Sequence, residues 1–282
     1  VKGFTGKYSY SWGSGIVMTG DGYILTNTHM LDGVKSVEVI LHDGSTYDAK
    51  LVGNDPVSDV AVLKIKADGL TPAQFGDSDA LSVGDRVVAI GNPLSEVFTG
   101  TMTEGIVSGK ERSVNYGGRT MTLLQTTAAI NEGNSGGPLF NQYGQVVGIT
   151  NMKMMMTRSA MVEGIGFAIP STTVRDMANI LLRDGTVAGR PALGVYVLEV
   201  EDDGTHPAGL MVSEAVQGSD AAQKGLREND ILTEIDGTPI TDFSVVSDYL
   251  ADKKVGDSVN LTIWREGKSV VKTIKLIDQN QF

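Results

Sequence analysis

Between Gly15 and about Thr150 the sequence repeats short β-forming runs broken by glycine turns, and no helical period intervenes. The runs fall at 15–19, 23–26, 36–41, 47–53, 60–65, 86–90, 120–125 and 145–149. Turn signals at Gly20-Asp21-Gly22, Asp43-Gly44 and Tyr143-Gly144 separate them. This spacing predicts a β-barrel or sandwich. One amphipathic helix follows, where Val174, Met177, Ile180 and Leu181 recur at helical spacing, with Ser171 as N-cap, Pro170 outside it and Gly185 as the stop.

Residues 186–192 read as a linker, and the pattern beyond them is mixed. Strands are predicted at 193–200, 210–215, 231–235, 258–264 and 270–276, and short helices at 219–224 and 244–251. From Arg190 onward there are 16 acidic against 9 basic side chains, a denser negative charge than in the rest of the chain. Both shifts divide the chain into domains at 1–188 and 189–282. The first thirteen residues hold Phe4, Tyr8, Tyr10 and Trp12, read either as a loop stapled down by its rings or as an oligomer contact.

The net charge of −11 opposes nucleic acid or an anionic membrane surface as partner. Without cysteine there is no disulfide framework, thiol nucleophile or thiolate metal site. No run is long and apolar enough for a membrane span, and no signal peptide is visible. The start at Val1 rather than Met suggests a processed or trimmed fragment, with any leader or anchor upstream. No two histidines share ligand spacing, the acidic clusters lack an EF-hand pattern, and Gly164 to Gly166 do not complete a dinucleotide fingerprint. No metal or cofactor is expected.

The chemistry concentrates at 128–140, Ala-Ala-Ile-Asn-Glu-Gly-Asn-Ser-Gly-Gly-Pro-Leu-Phe. Ser135 lies among Gly133, Gly136 and Gly137. Alone, this is either a glycine-rich turn or a nucleophile in a loop that offers backbone N–H groups to an oxyanion. Gly133-Asn134-Ser135-Gly136-Gly137 also fits the G-x-S-x-G elbow of α/β-hydrolases, but two glycines and the turn at 141–144 argue against the helix that motif needs. Of three histidines, His42 reads as a surface turn residue and His206 lies in an acidic loop. His29 ends an apolar strand and is the candidate base. Asp59 opens the buried run 60–65 and is its candidate carboxylate, with Asp55 a decoy nearby.

Thr26-Asn27-Thr28-His29, the stretch 58–65 (Ser-Asp-Val-Ala-Val-Leu-Lys-Ile), Val88-Ala89-Ile90-Gly91-Asn92-Pro93, the stretch 128–139 and Gly164-Ile165-Gly166-Phe167-Ala168-Ile169-Pro170 together resemble the HtrA/Deg family of trypsin-like serine proteases. The resemblance implies a mostly β fold, a chymotrypsin-like double β-barrel, with His29, Asp59 and Ser135 at its seam and an oxyanion hole from the N–H groups of Gly133 and Ser135. It places Ala129 at the base of the S1 pocket, with Ile130 and Ile165 as walls, so that P1 is small or medium and aliphatic. Asn134 stands where digestive relatives carry aspartate, which points to switching by loop order, through 111–118 and the methionine-rich 151–163, rather than by zymogen cleavage. Many relatives carry Asp at Thr127 and Pro at Glu132, so Glu132 puts a carboxylate beside the oxyanion site.

The second domain resembles a PDZ domain (α+β) through Ala192-Leu193-Gly194-Val195, 221–226 and 230–237. That likeness implies a peptide added to a strand edge, its carboxylate capped by the amides of Leu193 and Gly194, in a groove lined by Val195, Val197, Val246 and Tyr249 or Leu250. The implied function is an ATP-independent endoprotease for unfolded or exposed polypeptide in extracytoplasmic quality control. It would be trimeric through the N-terminal aromatic segment, with Phe4 and Tyr8 as candidate contacts, and regulated by C-terminal peptides. The alternative is a peptide-binding chaperone or sensor with dormant proteolysis.

Overall fold

The computed structural model describes residues 1–6, 10–92, 99–116, 119–153, 156–157, 160–161 and 164–279, with side chains except those of 10, 115–116, 119–120, 152–153, 156–157 and 160–161. The chain divides into two compact units, the first made of 1–113 and 121–186 and the second of 187–282 together with 114–120.

The first unit opens with a seven-stranded antiparallel sheet: β1 (Lys2–Phe4), β2 (Tyr10–Trp12), β3 (Ile16–Val17), β4 (Tyr23–Asn27), β5 (Ser36–Ile40), β6 (Thr46–Asp55) and β7 (Val60–Ile65), in the order β2-β1-β5-β6-β7-β4-β3. The predicted run at 60–65 is buried at every position except Lys64. Leu63 and Ile65 pack there with Ile24 and Val39. Each such side chain contributes about 1.5–3 kcal/mol by leaving water. Of the aromatic lead, residues 2–4 and 10–12 are strand rather than loop. β1 and β2 form a hairpin laid on β5, with Lys2 Nζ over the rings of Phe4 and Trp12 and Trp12 Nε1 donating to Asn92 O. Tyr8 lies outside the described residues.

Next come β8 (Arg86–Gly91), β9 (Thr101–Tyr116), β10 (Arg119–Thr126), β11 (Pro138–Asn141), β12 (Val146–Lys153), the short pair β13 (Met156–Thr157) and β14 (Ala160–Met161), and β15 (Gly166–Pro170). Six of these close a barrel, β10-β15-β12-β11-β8-β9. This is the mostly β, trypsin-like double-barrel fold; the hydrogen-bond ladder closes fully around the second barrel. Residues 111–116, expected in a loop, are strand. Of 151–163, residues 151–153 belong to β12, and Met154 and Met155 lie outside the described residues.

Helix α1 (Ser171–Asp184) buries Val174, Ala178 and Leu181 and packs against β6 and β7 of the sheet and β12 and β15 of the barrel. Ser171 is its first helical residue rather than its N-cap, because the free N–H groups are capped from another segment. Ser78 Oγ accepts from Thr172 N, while Ser171 Oγ accepts from Ser78 N and donates to Gly76 O. Gly185 ends the helix in the left-handed region.

The second unit contains β16 (Pro191–Ala192), β17 (Val195–Val200), β18 (Gly209–Ala215), α2 (Asp220–Gln223), β19 (Ile231–Ile235), β20 (Thr238–Pro239), α3 (Phe243–Ala251), β21 (Ser258–Arg265), β22 (Lys268–Lys275) and β23 (Ile277–Asp278). The main sheet runs β17-β18-β19-β21-β22, which leaves β17 an edge, and β23 returns to pair with β16.

Candidate active site

Strand register brings the first two groups together. β4 and β7 are antiparallel with Asn27 opposite Val60, so the residues just beyond Asn27 and just before Val60 meet at one end of the sheet. The buried side chains around His29 then fix Asp59. Asn27 Nδ2 and Thr28 N both donate to Asp59 O, at 3.0 and 3.2 Å, and Thr28 Oγ1 donates to Val60 O. Asp59 sits at φ 56°, an uncommon conformation that aspartate tolerates better than most residues. The decoy Asp55 serves this turn: its carboxylate accepts from Ser58 N and Oγ.

The Asp59 carboxylate is 5% exposed and collects three donors. His29 N donates to Oδ1 at 2.8 Å, the ring Nδ1 lies 2.6 Å from Oδ2, and Asn151 Nδ2 donates to Oδ2 at 2.6 Å. The imidazole is 33% exposed, so its other nitrogen can face a substrate. A carboxylate at Nδ1 selects the tautomer with a proton there and leaves Nε2 free to accept one.

The Ser135 loop is pinned from below. β11 and β12 pair with Pro138 opposite Ile149, and the pairing extends backward through Gly136 N to Thr150 O and Thr150 N to Gly137 O. Three consecutive carbonyls of the loop turn inward. Gly133 O accepts from Ser14 Oγ at 2.7 Å, Asn134 O from Gly137 N, and Ser135 O from Ser14 N. Gly136 has φ 83°, and a Cβ there would lie 2.4 Å from Ser14 O, so only glycine fits. Among the described residues the N–H groups of Gly133 and Ser135 donate to nothing. Ser135 Oγ donates to Asn151 O at 2.8 Å, and no hydrogen bond joins it to the imidazole. Asn151 therefore touches both halves of the site, the Asp59 carboxylate through its side chain and the Ser135 hydroxyl through its backbone.

Ala129 is exposed, its carbonyl held by Thr103 Oγ1 and Asn134 Nδ2. Ile130 is buried beneath Gly166, and Ile165 is half-buried. Glu132 is exposed, and Thr127 Oγ1 accepts from Ile106 N. His42 is exposed. His206 belongs to the second unit, with its ring against Asp203 and Trp264. Of the two histidines in the first unit, His29 is the one joined to the serine loop, through Asp59 and Asn151. Sequence reasoning missed Ser14, Thr150 and Asn151. The available signal was polar Thr150-Asn151 ending the apolar run Val146-Val147-Gly148-Ile149, since a buried polar group must find partners.

In the second unit Gly194 has φ 76°, and its carbonyl accepts from Val216 N and Ser219 Oγ. The N–H groups of Leu193 and Gly194 donate to no described atom. Val195 and Val246 are buried in one cluster, with Val197, Tyr249 and Leu250 packed against it. Tyr249 donates its hydroxyl to Asp236; burial first, and then that carboxylate, raise its pKa above the ordinary phenol value. Among the described residues no cluster of three metal-ligating side chains forms, and no helix is long and apolar enough to cross a membrane.

A trypsin-like peptidase domain model matches residues 13–149, and a PDZ domain model matches 191–276. Serine protease Do-like HtrA of Lactobacillus helveticus is 40% identical over 285 residues, covering 95% of this chain and 69% of that protein. The chain belongs to the HtrA family of serine proteases. Serine protease Do-like HtrA of Bacillus subtilis (strain 168) is 42% identical, covering 95% of this HtrA-family chain and 64% of that protein. The probable periplasmic serine endoprotease DegP-like of Pseudomonas fulva is 42% identical over 96% of the chain and 56% of that protein. The chain thus spans between about half and about two thirds of the length of these relatives. Among solved structures, the HtrA-type protease AlgW with decapeptide matches with TM-score 0.66 and 33% identity, over 96% of this chain and 84% of that one.

Proposed function

We propose that this HtrA-family chain is an ATP-independent serine endoprotease with residues 1–188 as its catalytic domain and residues 189–282 as a peptide-binding PDZ domain. Rotation about the Ser135 Cα–Cβ bond moves the hydroxyl from Asn151 O toward His29. His29 Nε2 takes the hydroxyl proton as Oγ bonds to the scissile carbonyl carbon, while Asp59 stabilises the imidazolium. The oxyanion is received by the N–H groups of Gly133 and Ser135. The intermediate collapses as His29 returns its proton to the leaving amine. Water, deprotonated by His29, then hydrolyses the acyl-enzyme.

The observation that carries this reading is the conjunction of a buried Asp59 carboxylate 2.6 Å from the His29 ring with N–H groups of Gly133 and Ser135 that, among the described residues, donate to nothing. Ala129, Ile130 and Ile165 offer no carboxylate to a basic side chain, so cleavage falls after Val, Ala or Ile. In the second domain the outer edge of β17 and the amides of Leu193 and Gly194 receive a C-terminal peptide, with Val195, Val197, Val246 and Tyr249 along the groove. The periplasmic relatives and the peptide-bound HtrA structures support an extracytoplasmic protein acting on unfolded chains. Assembly as a homotrimer would use the N-terminal aromatic segment, with Phe4 and Tyr8 as contacts, and light scattering of a Phe4→Ala, Tyr8→Ala variant tests it; an unchanged mass rejects that contact.

A labelled fluorophosphonate tests the core claim. Wild type is labelled and Ser135→Ala is not; no labelling of wild type, with or without a hydrophobic C-terminal peptide, rejects proteolysis in favour of a binding module. Cleavage sites mapped in a casein digest test the P1 preference, which cuts clustered after Lys or Arg would refute.

A further inference from the structure

The two N–H groups assigned to the oxyanion hole belong to different peptide planes. The Ser135 N–H shares its plane with the Asn134 carbonyl. In a trans peptide these two groups point in opposite directions, so whatever fixes the carbonyl aims the N–H. The carbonyl has two partners. One is Gly137 N within the same turn, at 2.8 Å. The other is the hydroxyl of Thr150, which is fully buried on β12, with Oγ1 2.5 Å from Asn134 O.

Thr150 Oγ1 also lies 3.0 Å from Gly137 O, but a hydroxyl has one proton to give. Gly137 O already accepts from Thr150 N at 2.8 Å. The proton is therefore assigned to Asn134 O, the nearer oxygen. We infer that Thr150 is a positioning residue for catalysis: its hydroxyl holds the Asn134–Ser135 peptide so that the Ser135 N–H faces the developing oxyanion. It touches no substrate and acts only through that peptide plane.

Removing the hydroxyl does not orphan Asn134 O, which keeps Gly137 N, so the loop still folds but its plane is held by one bond instead of two. Losing an oxyanion donor outright costs about 10²–10³ in kcat, and misaiming one costs part of that. Thr150→Val is expected to lower kcat about 10–100-fold with KM within about threefold of wild type. A peptide boronic acid, which forms the tetrahedral adduct, is expected to weaken by the same factor as kcat. Thr150→Ser restores the hydroxyl and returns both quantities to within about threefold of wild type. If Thr150→Val does not fold, Thr150→Ala carries the same comparison, assayed well below its own melting midpoint.

The inference rests on Ser135 being the nucleophile, so fluorophosphonate labelling of wild type comes first. An unlabelled wild type rejects the proteolytic reading and this inference with it. A labelled wild type with full kcat and boronate affinity in the hydroxyl-less variant rejects Thr150 alone. So does a Thr150→Ser variant as impaired as Thr150→Val, because the effect then follows packing rather than the hydroxyl.

Discussion

Replacing Asp59 with asparagine keeps the size of the side chain and exchanges one of its two acceptor oxygens for an NH2 group. In the structure that carboxylate faces three donors: His29 N at Oδ1, and His29 Nδ1 and Asn151 Nδ2 together at Oδ2. An amide cannot satisfy this set. With its oxygen at the Oδ2 position, its NH2 meets the His29 backbone N–H head-on, and an orphaned buried donor costs about 1–3 kcal/mol. The imidazole tautomer is then correct, but the imidazolium formed during attack has lost a counter-charge worth about 4 kcal/mol at 4 Å and an effective dielectric of 20. With its NH2 at the Oδ2 position, the amide confronts the Asn151 amide and drives the histidine proton to Nε2, where it cannot accept the serine proton. Either way kcat is expected to fall about 10³–10⁴-fold, or about 4–5.5 kcal/mol of barrier. The assay is steady-state hydrolysis of a chromogenic peptide, normalised by calorimetry showing that the melting midpoint moves less than about 10 °C. A folded Asp59→Asn enzyme within tenfold of wild-type kcat would refute the role given to this carboxylate.

Three other outcomes are expected. Gly194→Ala places a Cβ 2.7 Å from Ser219 Cβ at φ 76°; it weakens binding of a hydrophobic C-terminal peptide by about tenfold or more and leaves basal peptidase activity unchanged, as calorimetric titration and the chromogenic assay would show. Glu132→Pro removes an exposed carboxylate next to Gly133 and raises kcat/KM about two- to fivefold, up to about 1 kcal/mol; an unchanged kcat/KM discards the electrostatic effect of Glu132. The Asp203 carboxylate accepts from Thr205 Oγ1, Thr205 N and His206 N, which lower its pKa to about 2. Because the folded value is depressed, the stabilisation is present above the ordinary aspartate range and is lost as pH falls toward 2. Carbon-13 NMR titration of that carboxyl checks it, and a midpoint near 4 contradicts the hydrogen-bonded loop.

What the sequence disclosed of this fold follows the reach of each interaction. Runs such as Val60–Ile65 and Ile231–Ile235 stood out because both faces, or alternate faces, are apolar. His29 and Asp59 stood out because each lies at the end of an apolar run, and the pairing of β4 with β7 then brings those ends together. β9 was hidden because its pattern is inverted. Met102 and Ile106 face solvent at 66% and 39% exposure, while the inward positions hold Thr103 and Gly105 before the buried Val107. Gly105 faces inward because a Cβ there would sit 2.1 Å from Ala128 N, so the strand exists partly to carry the segment leading into the serine loop. Thr127 N donates to Ile106 O, and Thr103 Oγ1 donates to Ala129 O. A stretch that accepts another backbone carries small and hydroxyl side chains inward, so ahead of Val107 it shows no hydrophobic signature to read. The same reasoning covers Ser14, Thr150 and Asn151. Their work is done by a few hydrogen bonds to residues far along the chain, such as Ser14 to Gly133 and Asn151 to Asp59. The side chains that would receive a substrate announce themselves as chemistry, whereas those that aim the backbone look like ordinary polar residues until the partner is in place. In a site whose proposed oxyanion donors are backbone N–H groups, much of the specification lies in that second class.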